Sequence, residues 1–174
     1  MKINSNKLIK SVFLFLIACF ALHTVQAQAE GSNRDNEKTN LVSNLLNSKN
    51  FVFKAQFALP MAGRSIQLTS DYDVQVKGDT VQAFLPYFGR AFSAPMNPNE
   101  SGIQFTSTRF DYQQTASKKK KQSWNITIQP KDAQDVRQLT FRVFENGSAT
   151  LQVVSNNRQT ISYNGYITER RARK

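Results

Sequence analysis

Residues 84–92 hold the sequence's most unusual chemistry, with four aromatic residues, a proline, a glycine and an arginine in nine positions. Proline and glycine interrupt a strand, so the rings are expected to point in different directions. Tyr87, Arg90 and Phe92, with Tyr163 from later in the chain, are candidate ligand-binding residues at the mouth of a barrel. A guanidinium beside apolar walls would hold an anionic head group. The pattern therefore predicts a site for a hydrophobic or anionic ligand.

The same segment also fits a structural role. Aromatic residues pack in protein cores far more often than they anchor ligands. On this interpretation the rings plug a corner of a sheet, and Arg90 binds backbone carbonyl groups. This is the commoner use of such residues, and the sequence leaves both interpretations open.

Asp71 and Asp73 are two positions apart on one strand face, a spacing that suits a pair of calcium ligands or a general acid and base. Calcium takes about six or more oxygen ligands, and no acidic cluster or glycine-rich loop nearby supplies the others. Both aspartates fall on the polar side of their strand, so we expect them to be exposed. No metal or other cofactor is predicted.

Most enzyme chemistries lack their usual residues. The chain has one histidine, His23, and one cysteine, Cys19, and both lie in the first 29 residues. Once these are removed, no thiol nucleophile, imidazole base or Cys/His zinc site can form. The rest of the chain has no nucleophile elbow, paired-carboxylate pattern or phosphate loop. We therefore expect no catalytic activity.

Residues 1–29 have the features of a secretory signal peptide. A basic start precedes an apolar run over 11–22 and two small-x-small cleavage sites that end at Ala27 and Ala29. The run is shorter than the ~20 residues that span a bilayer. As an alternative, the four residues ending at Cys19 resemble the lipobox of bacterial lipoproteins, and Cys19 would then be lipidated. The apolar run continues past Cys19, which favours ordinary cleavage. The protein is expected to be periplasmic or associated with the cell envelope.

The basic residues suggest a surface for anionic partners. Signal removal takes away three lysines, so the formal charge falls from +11 to +8. Lys118, Lys119, Lys120 and Lys121 could contact anionic lipid peripherally at about 1 kcal/mol per charge, as could the tail at 169–174. A solvated hairpin tip and a frayed tail are the simpler interpretation. Nucleic acid is not expected, since no aromatic residues accompany the lysines.

The elements that must position these residues are mainly strands. A polar leader and a short helix, at about 36–48, fill residues 30–50; strict two-residue alternation then predicts an antiparallel β domain over 51–168. The parity of apolar residues slips near 106–109, which predicts a bulge or sharp bend. About eight strands with short turns favour an up-and-down, lipocalin-like barrel or half-open barrel. A single bent sheet with the helix across its apolar face is the alternative.

A resemblance to a known family is carried by the LPYFGRA run at 85–91, its spacing from 76–79 and to 102–105, and the later segments 146–149 and 155–165. These stretches resemble an exported Bacteroidota family, domain of unknown function 4251. The resemblance covers roughly residues 35–168 and implies a compact β fold and a periplasmic or surface location. It carries over no catalytic residues.

Two functions follow. The first is a binding module whose barrel holds a hydrophobic small molecule or a peptide strand. The second is a structural or assembly protein of the cell envelope that docks on membrane or partner proteins through its basic segments.

Overall fold

The computed structural model describes residues 37–92, 102–117 and 122–170. Within these ranges, no helix has the length and apolar character needed to cross a membrane. Several predictions concern residues outside them, namely Ala27, Ala29, Cys19 and the lysines at 118–121.

One helix, α1, spans residues 37–47, close to the predicted 36–48. Val42 and Leu46 are buried in the core, whereas Leu41, predicted to lie on the same apolar stripe, is exposed. Lys49 follows the helix with a φ of 50°, a left-handed conformation that often ends a helix. Helix α1 therefore contributes a narrow apolar stripe to the core.

Nine antiparallel strands follow α1. Polar and apolar residues alternate along most of these strands, so that one face of the strand is buried. Strand β5 is the exception, since none of its residues is fully buried. The mainly β, antiparallel fold with one helix at the N-terminal end of the described chain is therefore confirmed. The strands are β1 Asn50–Pro60, β2 Ile66–Lys77, β3 Thr80–Leu85, β4 Ile103–Ser107, β5 Phe110–Ser117, β6 Ser123–Pro130, β7 Val136–Phe144, β8 Ser148–Ser155 and β9 Ile161–Thr168.

The strands form one sheet in the order β4-β3-β2-β1-β9-β8-β7-β6-β5. Eight antiparallel pairings separate the edge strands, so β4 and β5 run in the same direction. Only Thr108 and Arg109 join them. The chain therefore bends at these two residues without reversing its direction. It leaves β4 at one edge of the sheet and enters β5 at the opposite edge. This connection curls the sheet into a nearly closed barrel.

The same bend explains why the strand count differs from the predicted one. Treating residues 103–112 as one bent strand gives eight strands from the sequence, whereas the bend divides the segment into β4 and β5. Asp132, in the turn between β6 and β7, accepts a hydrogen bond from the hydroxyl of Ser107 and one of 3.1 Å from the amide of Thr108. A side chain thus holds the corner that the parity slip predicted.

Large side chains fill the barrel interior. The ring of Phe141 packs edge-on against those of Phe51 and Phe53, with centroids 5.9 and 5.8 Å apart. Leu151 and Tyr163 join the same buried cluster. Because this cluster occupies the inside of the barrel, a binding site is expected on the outer face of the sheet.

Candidate functional site

Four neighbouring strands carry a row of side chains on their outer face. Tyr166 of β9 pairs with Lys54 of β1, Lys54 with Asp73 of β2, and Asp73 with Phe84 of β3. Strands lie ~4.8 Å apart, so the two aromatic positions are separated by about 14 Å across the sheet. The row has an aromatic ring at each end and two opposite charges in the middle.

A second row lies beside the first and is mostly polar. It runs across the same strands as Thr168, Val52, Gln75 and Gln82. The two rows line a groove of about 850 Å³, to which Asp71, Glu169 and Arg170 also contribute. Small-molecule sites typically occupy about 300–1,000 Å³. The groove is therefore large enough for a small ligand or a short stretch of polymer.

An ion pair occupies the centre of the groove. Lys54 Nζ lies 3.0 Å from Asp73 Oδ2 and 3.5 Å from Asp71 Oδ1. Burial lowers the pKa of Lys54, but the hydrogen bond and charge of Asp73, with the charge of Asp71, outweigh burial and raise that pKa above its usual value. Lys54 is therefore a protonated donor held in one position.

The two aspartates have different surroundings. The side chain of Asp71 is 93% exposed, as expected from the sequence, whereas that of Asp73 is only 15% exposed. Asp73 departs from the expectation because it lies between Lys54 and Gln75, whose amide is 3.4 Å from its carboxylate. Among the described residues, no group of three or more histidine, cysteine or acidic side chains is arranged to hold a metal ion.

A break in the β1–β2 ladder extends the groove. The register between the strands shifts after Ala55, and residues 68–71 of β2 stand outside the pairing. They form one wall of a second cavity of about 440 Å³, which shares Lys54, Asp71 and Tyr166 with the groove. The irregular segment therefore lengthens the groove along β1.

Gly165 determines how closely β1 and β9 approach at this point. It pairs with Ala55. A Cβ atom there would overlap the carbonyl oxygen of Lys54. Backbone atoms cannot move aside as a flexible side chain can, so only glycine fits. Gly165 thereby fixes the backbone of Lys54 beside Tyr166.

The aromatic residues at the two ends of the row are open to solvent. Phe84 is 45% exposed and Tyr166 is 42% exposed. The ring of Phe84 stacks on that of Tyr72, with centroids 5.4 Å apart and an interplanar angle of 28°. Tyr72 supports Phe84 from one side, which leaves the rest of the Phe84 ring available to a ligand.

The residues predicted from the sequence lie elsewhere. Tyr163 has no exposed surface, and its hydroxyl donates a 2.6 Å hydrogen bond to the carbonyl oxygen of Pro86. Burial, with the phenol of Tyr87 nearby, raises the pKa of Tyr163. The hydroxyl of Tyr87 lies 2.9 Å from the carbonyl oxygen of Arg90 and 3.1 Å from that of Gln159, and its single proton is shared between these two acceptors. Both tyrosines therefore bind backbone groups.

Arg90 and Phe92 are both exposed, Phe92 at 69%. The guanidinium over the ring of Tyr87 belongs to Arg158, whose guanidinium carbon lies 5.2 Å from the centre of that ring. Arg158 also forms a 2.9 Å ion pair with Asp135 and donates to the carbonyl oxygen of Gly102 at 3.0 Å. The cation at this corner is thus Arg158, and its contacts are with the protein itself.

Sequence reasoning did not identify the groove. Outward parity placed Asp73, Gln75 and Gln82 on a polar face, which is a usable signal. Lys54 joins them only through the pairing register of β1 with β2. Tyr166 joins them because β1 pairs with β9, more than 100 positions later in the chain.

The family model for Domain of unknown function (DUF4251) matches residues 33–167. The chain belongs to the DUF4251 family. This DUF4251 protein is also similar to a solved structure, the crystal structure of a DUF4251 family protein from Bacteroides eggerthii DSM 20697. The TM-score is 0.55 and the identity 16%, over 76% of this chain and 87% of that one. No curated protein matches the chain significantly. The matched segment contains both aromatic ends of the groove.

Proposed function

We propose that this DUF4251 protein is a non-catalytic, exported binding module whose ligand occupies the groove between Tyr166 and Phe84. The observation that carries the proposal is the row itself, in which the Lys54–Asp73 ion pair is held between two half-exposed rings. Binding sites combine apolar surface with a few polar groups in fixed positions. The paired strands supply those positions.

The chemistry of the groove supports binding over catalysis. The raised pKa of Lys54 keeps its amine protonated at neutral pH, so Lys54 donates hydrogen bonds and is neither a nucleophile nor a general base. The chain's only histidine and cysteine are His23 and Cys19, inside the predicted signal peptide. That peptide also supports a location in the periplasm or cell envelope.

The groove suits a different ligand from the hydrophobic or anionic one that residues 84–92 predicted. Tyr87 and Tyr163 use their hydroxyl groups on backbone carbonyls. The groove instead offers donors and acceptors between two flat rings. A polar ligand with apolar faces fits this surface better than a purely hydrophobic one.

Native mass spectrometry of the mature protein, purified from its own host, tests the proposal. Gln82→Trp would fill the groove, and Gln152→Trp on β8 is the matched control, because both glutamines are exposed strand residues. We expect a bound mass on the wild type and on Q152W that is absent from Q82W. A bound mass that persists on Q82W would show that the ligand binds outside the groove. A binding role would be refuted by two results together. The wild type would carry no bound mass, and the amide resonances of Lys54 and Gln82 would not shift when host envelope extract is added.

Docking on the cell envelope remains the second candidate. The lysines at 118–121 lie in the sequence between β5 and β6, two strands that do not line the groove. This role predicts association with vesicles of anionic lipid that weakens steeply with salt. Replacing the four lysines with serine would abolish such association and leave any mass bound in the groove unchanged.

A further inference from the structure

We propose that the groove binds an uncharged saccharide chain, an inference that rests on the proposed function and names its ligand class. A sugar ring presents C–H bonds on its faces and hydroxyl groups around its edge. It therefore needs a flat apolar surface beneath it and hydrogen-bonding groups beside it. The groove provides both within one row of four residues, Tyr166, Lys54, Asp73 and Phe84.

The rings supply the apolar surface. Phe84 and Tyr166 are each nearly half exposed, and Tyr72 holds Phe84 in place by stacking. An aromatic pair such as Tyr72–Phe84 contributes about 0.5–1.5 kcal/mol beyond the area that it buries, which holds the Phe84 ring ready for a ligand. Because the two positions are about 14 Å apart, one small ring cannot cover both. A chain of several sugar rings can.

The residues between the rings match hydroxyl groups. Lys54 is a donor, Asp73 an acceptor, and the amides of Gln75 and Gln82 supply both. All four side chains project from paired strands in the two adjacent rows. A hydroxyl group both donates and accepts, so alternating donors and acceptors along a groove suit a sugar edge better than a ligand with one kind of group.

Charge argues against an anionic ligand. Asp71, Asp73 and Glu169 line the groove against Lys54 and Arg170, an acidic excess of one. Lys54 already lies within 3.5 Å of two carboxylates. A phosphate or uronic acid would have to displace one of them. Nucleotides and acidic polysaccharides are therefore disfavoured.

The position of the groove argues against a peptide strand or a lipid chain. A peptide that adds to a sheet needs an unpaired strand edge, whereas β9, β1 and β2 are paired on both sides. A lipid tail would bury the Lys54–Asp73 pair under hydrocarbon, and desolvating charges in this way is unfavourable. The remaining mode is recognition by side chains on the face of the sheet, and a saccharide can be bound in this way.

Titration with a panel of uncharged oligosaccharides tests the inference. The panel contains maltohexaose, cellohexaose, xylohexaose and mannohexaose, with an oligogalacturonide and an extended peptide as contrasts. We expect at least one uncharged member to shift the amide resonances of Lys54, Asp73 and Gln82 in the mature protein. Its affinity, measured by calorimetry, should fall about tenfold in Phe84→Ala and in Tyr166→Ala, since about 1.4 kcal/mol corresponds to a factor of ten.

Phe92→Ala is the matched control, because Phe92 is exposed and lies outside the groove; its affinity should stay within about twofold of wild type, as for a ring that makes no contact. The inference is overturned if no uncharged sugar shifts these resonances, if only the oligogalacturonide or the peptide does, or if F92A weakens binding as much as F84A. In any of these cases the proposed function is judged separately by native mass spectrometry. If the wild type carries a host-derived mass that Q82W lacks, the groove binds a ligand of another class and the proposed function stands. If the wild type carries no such mass and its resonances do not shift with host envelope extract, both the saccharide inference and the proposed function are refuted.

Discussion

The hydroxyl of Tyr163 donates a 2.6 Å hydrogen bond to the carbonyl oxygen of Pro86, across 77 positions of sequence. Tyr163 belongs to β9 and has no exposed surface, while Pro86 directly follows β3. The bond gives a side-chain partner to the carbonyl group just past the end of β3. It ties the aromatic segment to a strand that is not its neighbour in the sheet.

Tyr163→Phe should lower the free energy of unfolding by about 1–3 kcal/mol, because it removes the donor and leaves a partly buried acceptor without this partner. Urea denaturation measures the change. Tyr166→Phe is the matched control, since Tyr166 is 42% exposed, and it should stay within about 0.5 kcal/mol of wild type. Equal effects of the two variants would show that the Pro86 bond contributes nothing specific.

Phe141→Ala should destabilise the protein by about 3–5 kcal/mol, because it opens a cavity in a packed core. The ring of Phe141 contacts both Phe51 and Phe53, and all three are fully buried. Phe92→Ala removes an equal side chain from a 69% exposed position and should change stability by less than about 0.5 kcal/mol. A loss below about 1 kcal/mol for F141A would indicate a loosely filled barrel.

Gly165→Ala should destabilise the protein by at least about 3 kcal/mol, because the added methyl group meets backbone and not a movable side chain. The same change should shift the amide resonances of Lys54 and Tyr166, since β1 must move away from β9. Gln152→Ala, at an exposed position on the neighbouring strand β8, is the control and should be close to neutral. Unchanged stability of G165A would mean that the two strands separate easily.

Asp132→Asn should loosen the corner between β4 and β5. The Ser107 hydrogen bond, with help from the amide of Thr108, holds the pKa of Asp132 below its usual value. A lowered pKa means that the carboxylate stabilises the fold above the unfolded pKa of about 4, and that this contribution is lost as pH falls through the folded value. Wild type should therefore lose more stability than D132N on acidification below about pH 4.

Hydrogen exchange provides the second measurement for this corner. Amide protons of Thr108 and the first residues of β5 should exchange faster in D132N. Asp111→Asn is the matched control, because Asp111 pairs with Lys131 on the surface, where both side chains are more than half exposed, and such pairs contribute little. If D111N and D132N behave alike, the corner does not depend on the Ser107–Asp132 bond.

The fold class could be predicted from the sequence because the alternation of polar and apolar residues is a local property of each strand. Residues such as Val74 and Val76 face one side of β2 whatever lies next to that strand, so two-residue periodicity predicts a sheet with one buried face. The parity slip near 106–109 is equally local, and it marked the bend at Thr108 and Arg109. The helical spacing of Val42 and Leu46 placed α1 to within a residue at each end.

The groove depends on information that no single strand carries. Lys54 meets Asp73 and Tyr166 only because β1 pairs with β2 on one side and β9 on the other. Moving a strand by one residue would turn its side chains to the opposite face. The sequence by itself determined which side chains face outward where a strand alternates regularly, but not past the bulge after Ala55, where Phe57 is exposed and Ala58 is buried. Only the tertiary structure decided which of them are neighbours, because strand register is set by packing and bulges across the whole barrel, and it also decided that Tyr87 and Tyr163 bind backbone carbonyls.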